Sequence, residues 1–363
     1  MFIHGFIQKL AFGVALLTVA LGGLSGCYKK TDSPEKSFLD DKNLNTKDTR
    51  DTAMSDDSAV PDEVKASSPT EATVLPVVYM TSNITPEGLM AVYEALGRKP
   101  APGQKVGIKI STGEGDHSNH LRPEFIRDFV QTLGGDIVET NTAYGGNRGD
   151  TDTHYRTIQK RGFPSIATTV ILDETATIDI PVSNGKHLDV NRIGARFSDY
   201  QFHVVLSHFK GHMMAGFGGA LKNMAIGYAS SAGKSYIHTG GKRWTGFSGE
   251  QNAFLESMAE AAKSVVDFAG EENFIYINVM NRLSVDCDCV ADPEKPTMAD
   301  IGILASLDPV ALDKAGLDLV NEAPDGADLQ KRIREKNGPL TVIHAAHIGL
   351  GSLEYTLVNI DKP

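Results

Sequence analysis

The sequence predicts an α/β fold in which a mainly parallel sheet carries helices on both faces, in Rossmann-like layers, with a small β-hairpin insertion. From residue 74 onward, apolar runs of strand length alternate with amphipathic segments of helix length. The runs at 202–206 and 274–279 are apolar except at His203 and Asn278, as is typical of strands buried on both faces of a parallel sheet. Asn184-Gly185, between two alternating stretches, supplies the turn residues of a hairpin.

Local patterns then justify each element in order. Pro86 suits the first turn of a helix, and Asp308-Pro309 reads as an N-cap followed by proline at the first helical position. The predicted strands are 74–81, 105–110, 136–141, 167–172, 177–182, 187–193, 202–206, 274–279, 298–305 and a short one at the C-terminus. The predicted helices are 86–96, 122–133, 153–160, one beginning near 219, 250–268, 308–320 and 325–336, with 227–249 as a polar loop.

Composition limits the classes of function. A chain of 363 residues, 41% of them hydrophobic, can bury a full core. The net charge of −11 argues against sequence-independent nucleic-acid binding, which depends on basic patches. We therefore expect a small molecule or another protein as the partner.

The N-terminus predicts export. Lys9 precedes an apolar run at 10–21, and Leu24-Ser25-Gly26-Cys27 matches the bacterial lipobox, so residues 1–26 read as a lipoprotein signal peptide with Cys27 lipidated. An ordinary signal peptide with an incidental cysteine is the alternative. Acyl chains would anchor the protein to a membrane of the bacterial cell envelope, with its globular part extracytoplasmic.

Residues 27–72 are rich in Lys, Asp, Ser, Thr and Pro and almost lack aromatic residues. Such a stretch cannot form a core, so it predicts a disordered acidic and polar tether. The folded α/β domain is then residues 73–363.

The segment 207–223 holds the densest set of reactive side chains. His208 and His212 are four residues apart and would share one face of a helical turn, where both can bind one metal. A helix beginning near Gly219 would direct free N–H groups at an anion, with Lys222 and Asn223 in its first turn and Gly218 allowing close approach. A glycine-rich structural turn is the alternative.

Cys287 and Cys289 predict a soft-metal site. Residues i and i+2 of a strand point the same way, with Cα atoms near the upper limit for a disulfide, so a disulfide is not expected. Two thiolates aimed at one point suit a metal ion, and His208, His212 or His347 can complete the site. Reduced, unliganded cysteines remain open. The chain lacks a Cys-x-x-Cys-x-x-Cys run, which excludes a self-contained ferredoxin-type cluster.

Lys109 ends a predicted strand and is followed by Gly113 and Gly115. At the carboxyl edge of an open α/β sheet it can bind a carboxylate or phosphate, although an ordinary loop gives the same pattern. Gly227 and Gly233-Lys234-Ser235 are separated by five residues rather than the four of a phosphate-binding loop, so that interpretation is rejected.

Several motifs in order resemble domain-of-unknown-function family 362, from residue 74 to the C-terminus. They are Leu206-Ser-His-Phe-Lys-Gly-His212, Gly218-Gly-Ala-Leu-Lys-Asn223, Cys287-Asp-Cys289, Asp300-Ile-Gly-Ile-Leu-Ala-Ser306 and Asp308-Pro-Val-Ala-Leu-Asp313. Members are often labelled iron–sulfur centre proteins, and many carry a ferredoxin insert after the second motif, where this chain has residues 240–250 without cysteine. The resemblance implies functional positions at Lys210, His212, Lys222, Asn223, Cys287, Cys289, Asp308 and His347.

Three functions follow as hypotheses. The first is an exported, lipid-anchored metal-binding protein. In one version of this hypothesis the metal site is an iron–sulfur or other redox centre, and the protein has a redox partner. Its metal ligands would come from Cys287, Cys289, His208, His212 and His347, and its cofactor or anion loop from Lys109, Gly113, Gly115, Gly218, Gly219 and Asn223. The second is a lipoprotein that binds a small anionic ligand. The third is a non-redox enzyme with His212 as base and Lys222 as electrostatic stabiliser.

Overall fold

A computed structural model describes residues 74–361. The predicted signal peptide, the tether and the lipidation residue Cys27 lie outside the described residues. The described chain forms an eight-stranded sheet, two small two-stranded sheets and helices on both faces of the main sheet. The predicted α/β class, with a mainly parallel sheet and a hairpin insertion, is confirmed.

The elements carry the following bounds. The strands are β1 (Val77–Thr81), β2 (Val106–Lys109), β3 (Asp136–Glu139), β4 (Thr169–Ile171), β5 (Thr177–Pro181), β6 (Val190–Gly194), β7 (Phe202–His208), β8 (Lys210–His212), β9 (Gly216–Gly218), β10 (Phe274–Met280), β11 (Gly302–Ser306) and β12 (Thr356–Asn359). The α-helices are α1 (Pro86–Leu96), α2 (Pro123–Leu133), α3 (Thr151–Lys160), α4 (Ala220–Tyr228), α5 (Ser231–His238), α6 (Gln251–Ala269), α7 (Pro309–Glu322), α8 (Ala327–Glu335) and α9 (Pro339–His347).

The main sheet has the strand order β12-β1-β11-β10-β7-β2-β3-β4. The strands from β10 to β4 are mutually parallel, whereas β11 is antiparallel to both of its neighbours and β12 is parallel to β1. Because the central strands run the same way, the carboxyl ends of β7, β2 and β3 meet at one edge of the sheet. Ligands of open α/β sheets bind at this edge.

The apolar runs become central strands because both faces of the sheet are covered. Along β10, Ile275 and Ile277 pack into one hydrophobic core, while Tyr276 and Met280 pack into the other. Helices α1 and α2 contribute to the first core, and α4, α6, α7 and α9 contribute to the second. Alternate side chains of a strand point to opposite faces, so a strand buried on both faces needs apolar residues at nearly every position.

The N-cap residues mark where the helices begin. Asp308 accepts hydrogen bonds from the N–H groups of Val310 and Ala311, as its predicted N-cap role requires. The prediction of a polar loop at 227–249 was wrong for residues 231–238, which form α5 behind the N-cap Ser230. Helix α9 was also missed. Both helices are short, and residues 231–238 lack a strong apolar period.

The hairpin pairs β5 with β6 in antiparallel fashion, and Asn184 has a φ of 56° in its turn. Strand β6 begins at Val190, three residues after the predicted start. Glu260 accepts hydrogen bonds from the N–H groups of Lys186 to Leu188, which removes those donors from the ladder.

Between residues 74 and 361, no helix combines the length and the apolar character needed to cross a bilayer.

Candidate functional site

A cavity of about 390 Å³ opens at the carboxyl edge of β7, β2 and β3. Four stretches of chain that are distant in sequence supply its walls: the strand ends, the segment from β7 to α4, helix α5 and the Cys287–Cys289 turn. Its polar lining includes Lys109, Glu139, Arg148, His208, Lys210, His212, Lys222, Asn223, Lys234, His238, Cys287, Asp288 and Cys289. Most of the residues selected from the sequence therefore meet in one cavity.

The floor is a buried ion network centred on Glu139, the last residue of β3. Lys109 Nζ lies 2.8 Å from Glu139 Oε2, and Arg148 Nη1 lies 3.2 Å from Oε1. Burial alone would raise the pKa of Glu139, but Lys109 and Arg148 hold it well below its ordinary value. The Lys109 ammonium, predicted to bind a ligand, is thus already paired with a carboxylate of the protein.

Sequence reasoning missed Glu139 and Arg148. Glu139 ends a parallel strand, as Lys109 does, and the rule that ligand sites lie at carboxyl ends could have selected both. Arg148 comes from the glycine-rich turn after β3, and its Nε lies 3.1 Å from Glu114 Oε2.

His208 lies in the cavity wall, but its ring is fully engaged. Its Nδ1 is 2.8 Å from Asp288 Oδ1, and its Nε2 is 2.6 Å from the carbonyl oxygen of Asn281. Neither nitrogen has a lone pair directed at the cavity, so the geometry does not support His208 as a metal ligand. His208 ends β7 and His212 lies in β8, so the helical turn that was to align them is absent here.

Asp288 is buried beneath the same wall. Its Oδ2 lies 3.0 Å from Lys210 Nζ, so His208 and Lys210 together face both carboxylate oxygens. Burial alone would raise the pKa of Asp288, but Lys210 and His208 hold it well below its ordinary value. The charge of the central residue in Cys287-Asp288-Cys289 is therefore neutralised by these two side chains.

Cys287 and Cys289 form a disulfide, and the expectation that their spacing forbids one was wrong. Residues 281–289 form turns and bends instead of a strand, which brings the two Cα atoms to 5.2 Å. That separation lies within the range for disulfides. Both cysteines line the cavity.

His212 approaches this sulfur pair from the opposite wall, with Nε2 4.0 Å from Cys289 Sγ. Ligand atoms of His212, Cys287 and Cys289 all lie within 4.8 Å of one another, so with the disulfide reduced this group can hold a metal ion. The ring also accepts hydrogen bonds at Nδ1 from the N–H groups of Met214 and Ala215. An accepting nitrogen carries no proton, so neutral His212 bears its proton on Nε2.

Gly211 allows the β8 segment and the cysteine turn to approach each other closely. A Cβ at position 211 would lie 2.3 Å from the carbonyl oxygen of Val285, and the Gly211 N–H donates to Ser284 at 2.8 Å. Close backbone contact between the β8 segment and the cysteine turn therefore places His212 beside Cys289.

The N-terminus of α4 is occupied by an internal carboxylate. Asp313 of α7 accepts hydrogen bonds from the N–H groups of Ala220 and Leu221, at 2.8 and 2.9 Å. A Cβ at Gly219 would lie 2.3 Å from Asp313 Oδ1, so only glycine leaves room for this contact. The prediction that Gly218 and Gly219 present free helix N–H groups to an external anion is thus contradicted at these two donors, although both glycines line the cavity.

Lys222 lies in the first turn of the same helix, directly after Leu221. Its ammonium has no hydrogen-bond or ion-pair partner among residues 74–361, in contrast to Lys109 and Lys210. Burial lowers the pKa of Lys222 to about 7, and repulsion from Lys210 adds to this while Asp288 opposes it. Asn223 uses its side-chain N–H groups on Lys109 O and Ser207 Oγ, so it clamps β2 to β7.

Helix α5 contributes Lys234 and His238, which sequence reasoning did not select. Lys234 donates to three neutral oxygens, on Thr140, Asn141 and Ala229, and burial lowers its pKa to about 7. His238 Nδ1 is 2.7 Å from the Lys234 carbonyl, which leaves Nε2 without a hydrogen-bond partner among residues 74–361. The Gly-Lys-Ser sequence, correctly rejected as a phosphate-binding loop, was the available signal.

Four of the selected residues that the structure describes lie outside the cavity lining: Gly113, Gly115, His347 and Asp308, which caps α7. A Cβ at Gly115 would contact Ala291, and one at Gly113 would contact Ser118 and His120, so these glycines pack the loop after β2 against its neighbours. His347 is exposed at the end of α9, with its ring 6.2 Å from that of His344. The structure does not bring His347 together with the cysteines.

A comparison with known protein families matches the part of the chain that forms the cavity. The family model described as Domain of unknown function (DUF362) matches residues 106–318. The chain belongs to this family. The matched range of this DUF362 member contains every cavity residue named above.

No curated protein matches the chain. Among solved structures, it is similar to the lactate racemase apoprotein from Thermoanaerobacterium thermosaccharolyticum, with 14% identity and a TM-score of 0.39 over 68% of this chain and 57% of that one. A Thermotoga maritima protein gives 10% identity and a TM-score of 0.36 over 72% of this chain and 58% of the other. The DUF362 chain thus spans less than two thirds of each of these proteins.

We expect Asp313→Asn to lower the free energy of unfolding by about 1–3 kcal/mol, because the amide would turn an N–H group toward the donors of Ala220 or Leu221. Asp267→Asn is the matched control, since Asp267 pairs with Lys263 on the surface of α6 and the change should alter stability by less than about 0.5 kcal/mol. Urea denaturation at pH 7.5 measures both. Equal, small effects would show that the capping of α4 by Asp313 is not a stabilising contact.

Proposed function

We propose that this protein is a lipid-anchored protein of the bacterial cell envelope whose cavity binds a small molecule carrying a carboxylate or phosphate group. The observation that carries the proposal is the side chain of Lys222, a partly buried cation in the cavity with no partner among the described residues. Lys109, Arg148 and Lys210 have carboxylate partners in the same cavity wall or behind it.

The charge balance of the cavity supports an anionic ligand. Its lining holds five cationic side chains, on Lys109, Arg148, Lys210, Lys222 and Lys234, against two carboxylates, on Glu139 and Asp288. An unpaired charge in a low-dielectric site costs several kcal/mol, which an ion of opposite sign offsets. The lowered pKa of Lys222 reflects this cost. The cavity volume lies within the range of small-molecule sites.

Hydrogen-bond donors add direction to this attraction. Neutral His212 presents its Nε2 proton to the cavity, because Nδ1 accepts from the backbone. Burial lowers the pKa of His212 well below its ordinary value, and the neighbouring Lys222 lowers it further. His212 is therefore a donor to a bound anion.

This tautomer of His212 changes the residue roles in the hypothesis of a non-redox enzyme. His212 cannot take a proton at Nε2 while Nδ1 accepts two backbone hydrogen bonds, so the assignment of His212 as general base does not fit. His238 has its Nδ1 beside the Lys234 carbonyl and presents the Nε2 lone pair instead. Lys222, with a pKa of about 7, can exchange a proton near neutral pH. These two groups are the proton acceptors of a non-redox enzyme at this site.

Metal binding is the second candidate, and the grouping of His212 with Cys287 and Cys289 favours it. Two thiolates and an imidazole form a donor set for zinc or another borderline divalent ion. The disulfide must first be reduced, and His212 must release its Nε2 proton at the expense of the bonds to Met214 and Ala215. A cluster held by four cysteines exceeds the three in the chain.

The anion proposal is tested by titration calorimetry of purified full-length protein with inorganic phosphate and with succinate. We expect Lys222→Gln to weaken binding at least about 10-fold, the size of one charge-assisted hydrogen bond. Wild-type affinity for succinate, whose two carboxylates are already ionised, should fall as the pH rises through about 7, because Lys222 then loses its proton. Lys331→Gln, on the exposed face of α8, is the control. Undetectable binding of both probes at millimolar concentration, or equal affinity in Lys222→Gln, contradicts the proposal.

The metal candidate is tested by elemental analysis of protein purified anaerobically with a reductant. If the candidate is correct, about one metal ion per chain should be bound, and the double variant Cys287→Ser, Cys289→Ser should lose it because both thiolates are gone. His347→Ala, outside the cavity, should keep the metal. Metal-free reduced wild-type protein eliminates this candidate.

The envelope location rests on the sequence of the N-terminus, from Lys9 to Cys27. We expect Cys27→Ala to remove the acyl chains and move the protein from the membrane fraction to the soluble fraction of lysed cells, as detected by immunoblotting. Metabolic labelling with a palmitate analogue should mark only the wild type. Membrane association that survives Cys27→Ala would argue for another anchor.

A further inference from the structure

The disulfide between Cys287 and Cys289 forms part of the wall of the basic cavity. A disulfide inside a small-molecule site is accessible to a thiol that the site binds. We propose that this disulfide oxidises a small anionic thiol, whose carboxylate or phosphate is held by Lys222 while its sulfur attacks Cys289. The inference rests on the proposed anion binding and adds a reaction and a substrate class to it.

The two sulfurs are not equivalent. Cys287 is only 3% exposed, whereas Cys289 is partly exposed, and both line the cavity. An incoming thiolate therefore reaches Cys289 Sγ more easily. The Cys289 N–H donates to Cys287 Sγ at 3.3 Å, and this donor stabilises the negative charge that Cys287 acquires as the leaving group.

His212 serves the second half of the reaction. Its Nε2 lies 4.0 Å from Cys289 Sγ, and the backbone N–H groups of Met214 and Ala215 fix the tautomer that carries a proton on Nε2. When Cys289 leaves as a thiolate, this N–H faces the developing charge. A better stabilised leaving thiolate speeds exchange.

Between the two cysteines, a carboxylate without a cationic partner would repel both thiolates. Asp288 is instead engaged by His208 at 2.8 Å and Lys210 at 3.0 Å. These contacts neutralise the carboxylate within the wall. The electrostatic environment of the sulfurs is then set by the cations of the cavity.

The reaction balances with two molecules of substrate. The first thiolate attacks Cys289 Sγ, the Sγ–Sγ bond breaks, and its electron pair leaves on Cys287. A second thiolate then attacks the substrate sulfur of the mixed disulfide, and the electron pair leaves on Cys289. Two substrate thiols become one substrate disulfide, and their two protons are taken up by the two cysteines. The protein disulfide is the oxidant and is reduced to a dithiol.

The kinetic test uses oxidised full-length protein and two thiols, mercaptosuccinate and neutral 2-mercaptoethanol. Free cysteines are alkylated at timed intervals and counted by mass spectrometry, and each rate is divided by that of the same thiol with a small model disulfide. We expect at least about 10-fold preference for mercaptosuccinate, lost in Lys222→Gln and in the presence of excess succinate, since the preference comes from a charge-assisted contact. Equal normalised rates overturn the proposal.

Succinate binding, measured separately, distinguishes failure of the exchange reaction from failure of the proposed anion site. If succinate binds and the normalised rates are equal, exchange fails while the anion site stands. If succinate does not bind, both fail.

The assignment of Cys289 as the attacked sulfur has its own test. Cys287→Ser and Cys289→Ser each leave one thiol in the cavity, and each is treated with the disulfide of mercaptosuccinate. Cys289 in the first variant should form the mixed disulfide about 10-fold faster than Cys287 in the second, because Cys289 is the more accessible sulfur. A faster reaction at Cys287 overturns the assignment.

Discussion

Burying several like charges at the carboxyl edge of a sheet requires that each be neutralised, and this constraint organises the cavity. Glu139 contacts both Lys109 and Arg148 and also accepts from the Thr112 N–H, so a single carboxylate ties β2, β3 and the following turn together. A buried ion pair is weak evidence for stability, whereas removing one partner is costly. The network therefore specifies an arrangement more than it strengthens the fold, and it leaves Lys222 without a carboxylate partner among residues 74–361.

Protein carboxylates already satisfy most of the cationic and N–H groups that the sequence offered to a ligand. Asp313 takes the first donors of α4, Asp288 takes Lys210, and Glu139 takes Lys109. In the proposed function, an anion would be recognised through Lys222 and the His212 N–H, with the disulfide beside them. Anion binding and thiol exchange then become two uses of one local charge distribution, and metal binding competes for the same sulfurs.

The fold was predictable from the sequence because long apolar strands and capped helices have local sequence patterns, as the strand Phe274–Met280 and the N-cap Asp308 illustrate. The gathering of Lys109, His212, Lys222 and the two cysteines in one cavity could be anticipated from strand ends and motifs. The roles could not. Hydrogen-bond partners decide whether His212 donates or ligates and whether Cys287 and Cys289 approach closely enough to bond. The partners of His212 are the nearby N–H groups of Met214 and Ala215, but their positions depend on the turn after β8. Cys289 Sγ, which faces the other ring nitrogen, lies 77 positions away, and no local pattern encodes that contact.

Gly211 has a consequence for how this site can vary. A single methyl group there would lie between β8 and the Val285 carbonyl and push the two backbones apart. Separating those two backbones would move His212 from Cys289 while the ion network around Glu139 stayed in place. The contact between His212 and Cys289 and the ion network around Glu139 can therefore be separated by a change at one position. An alanine there would provide a folded reference protein in which the sulfur chemistry has lost its neighbouring imidazole.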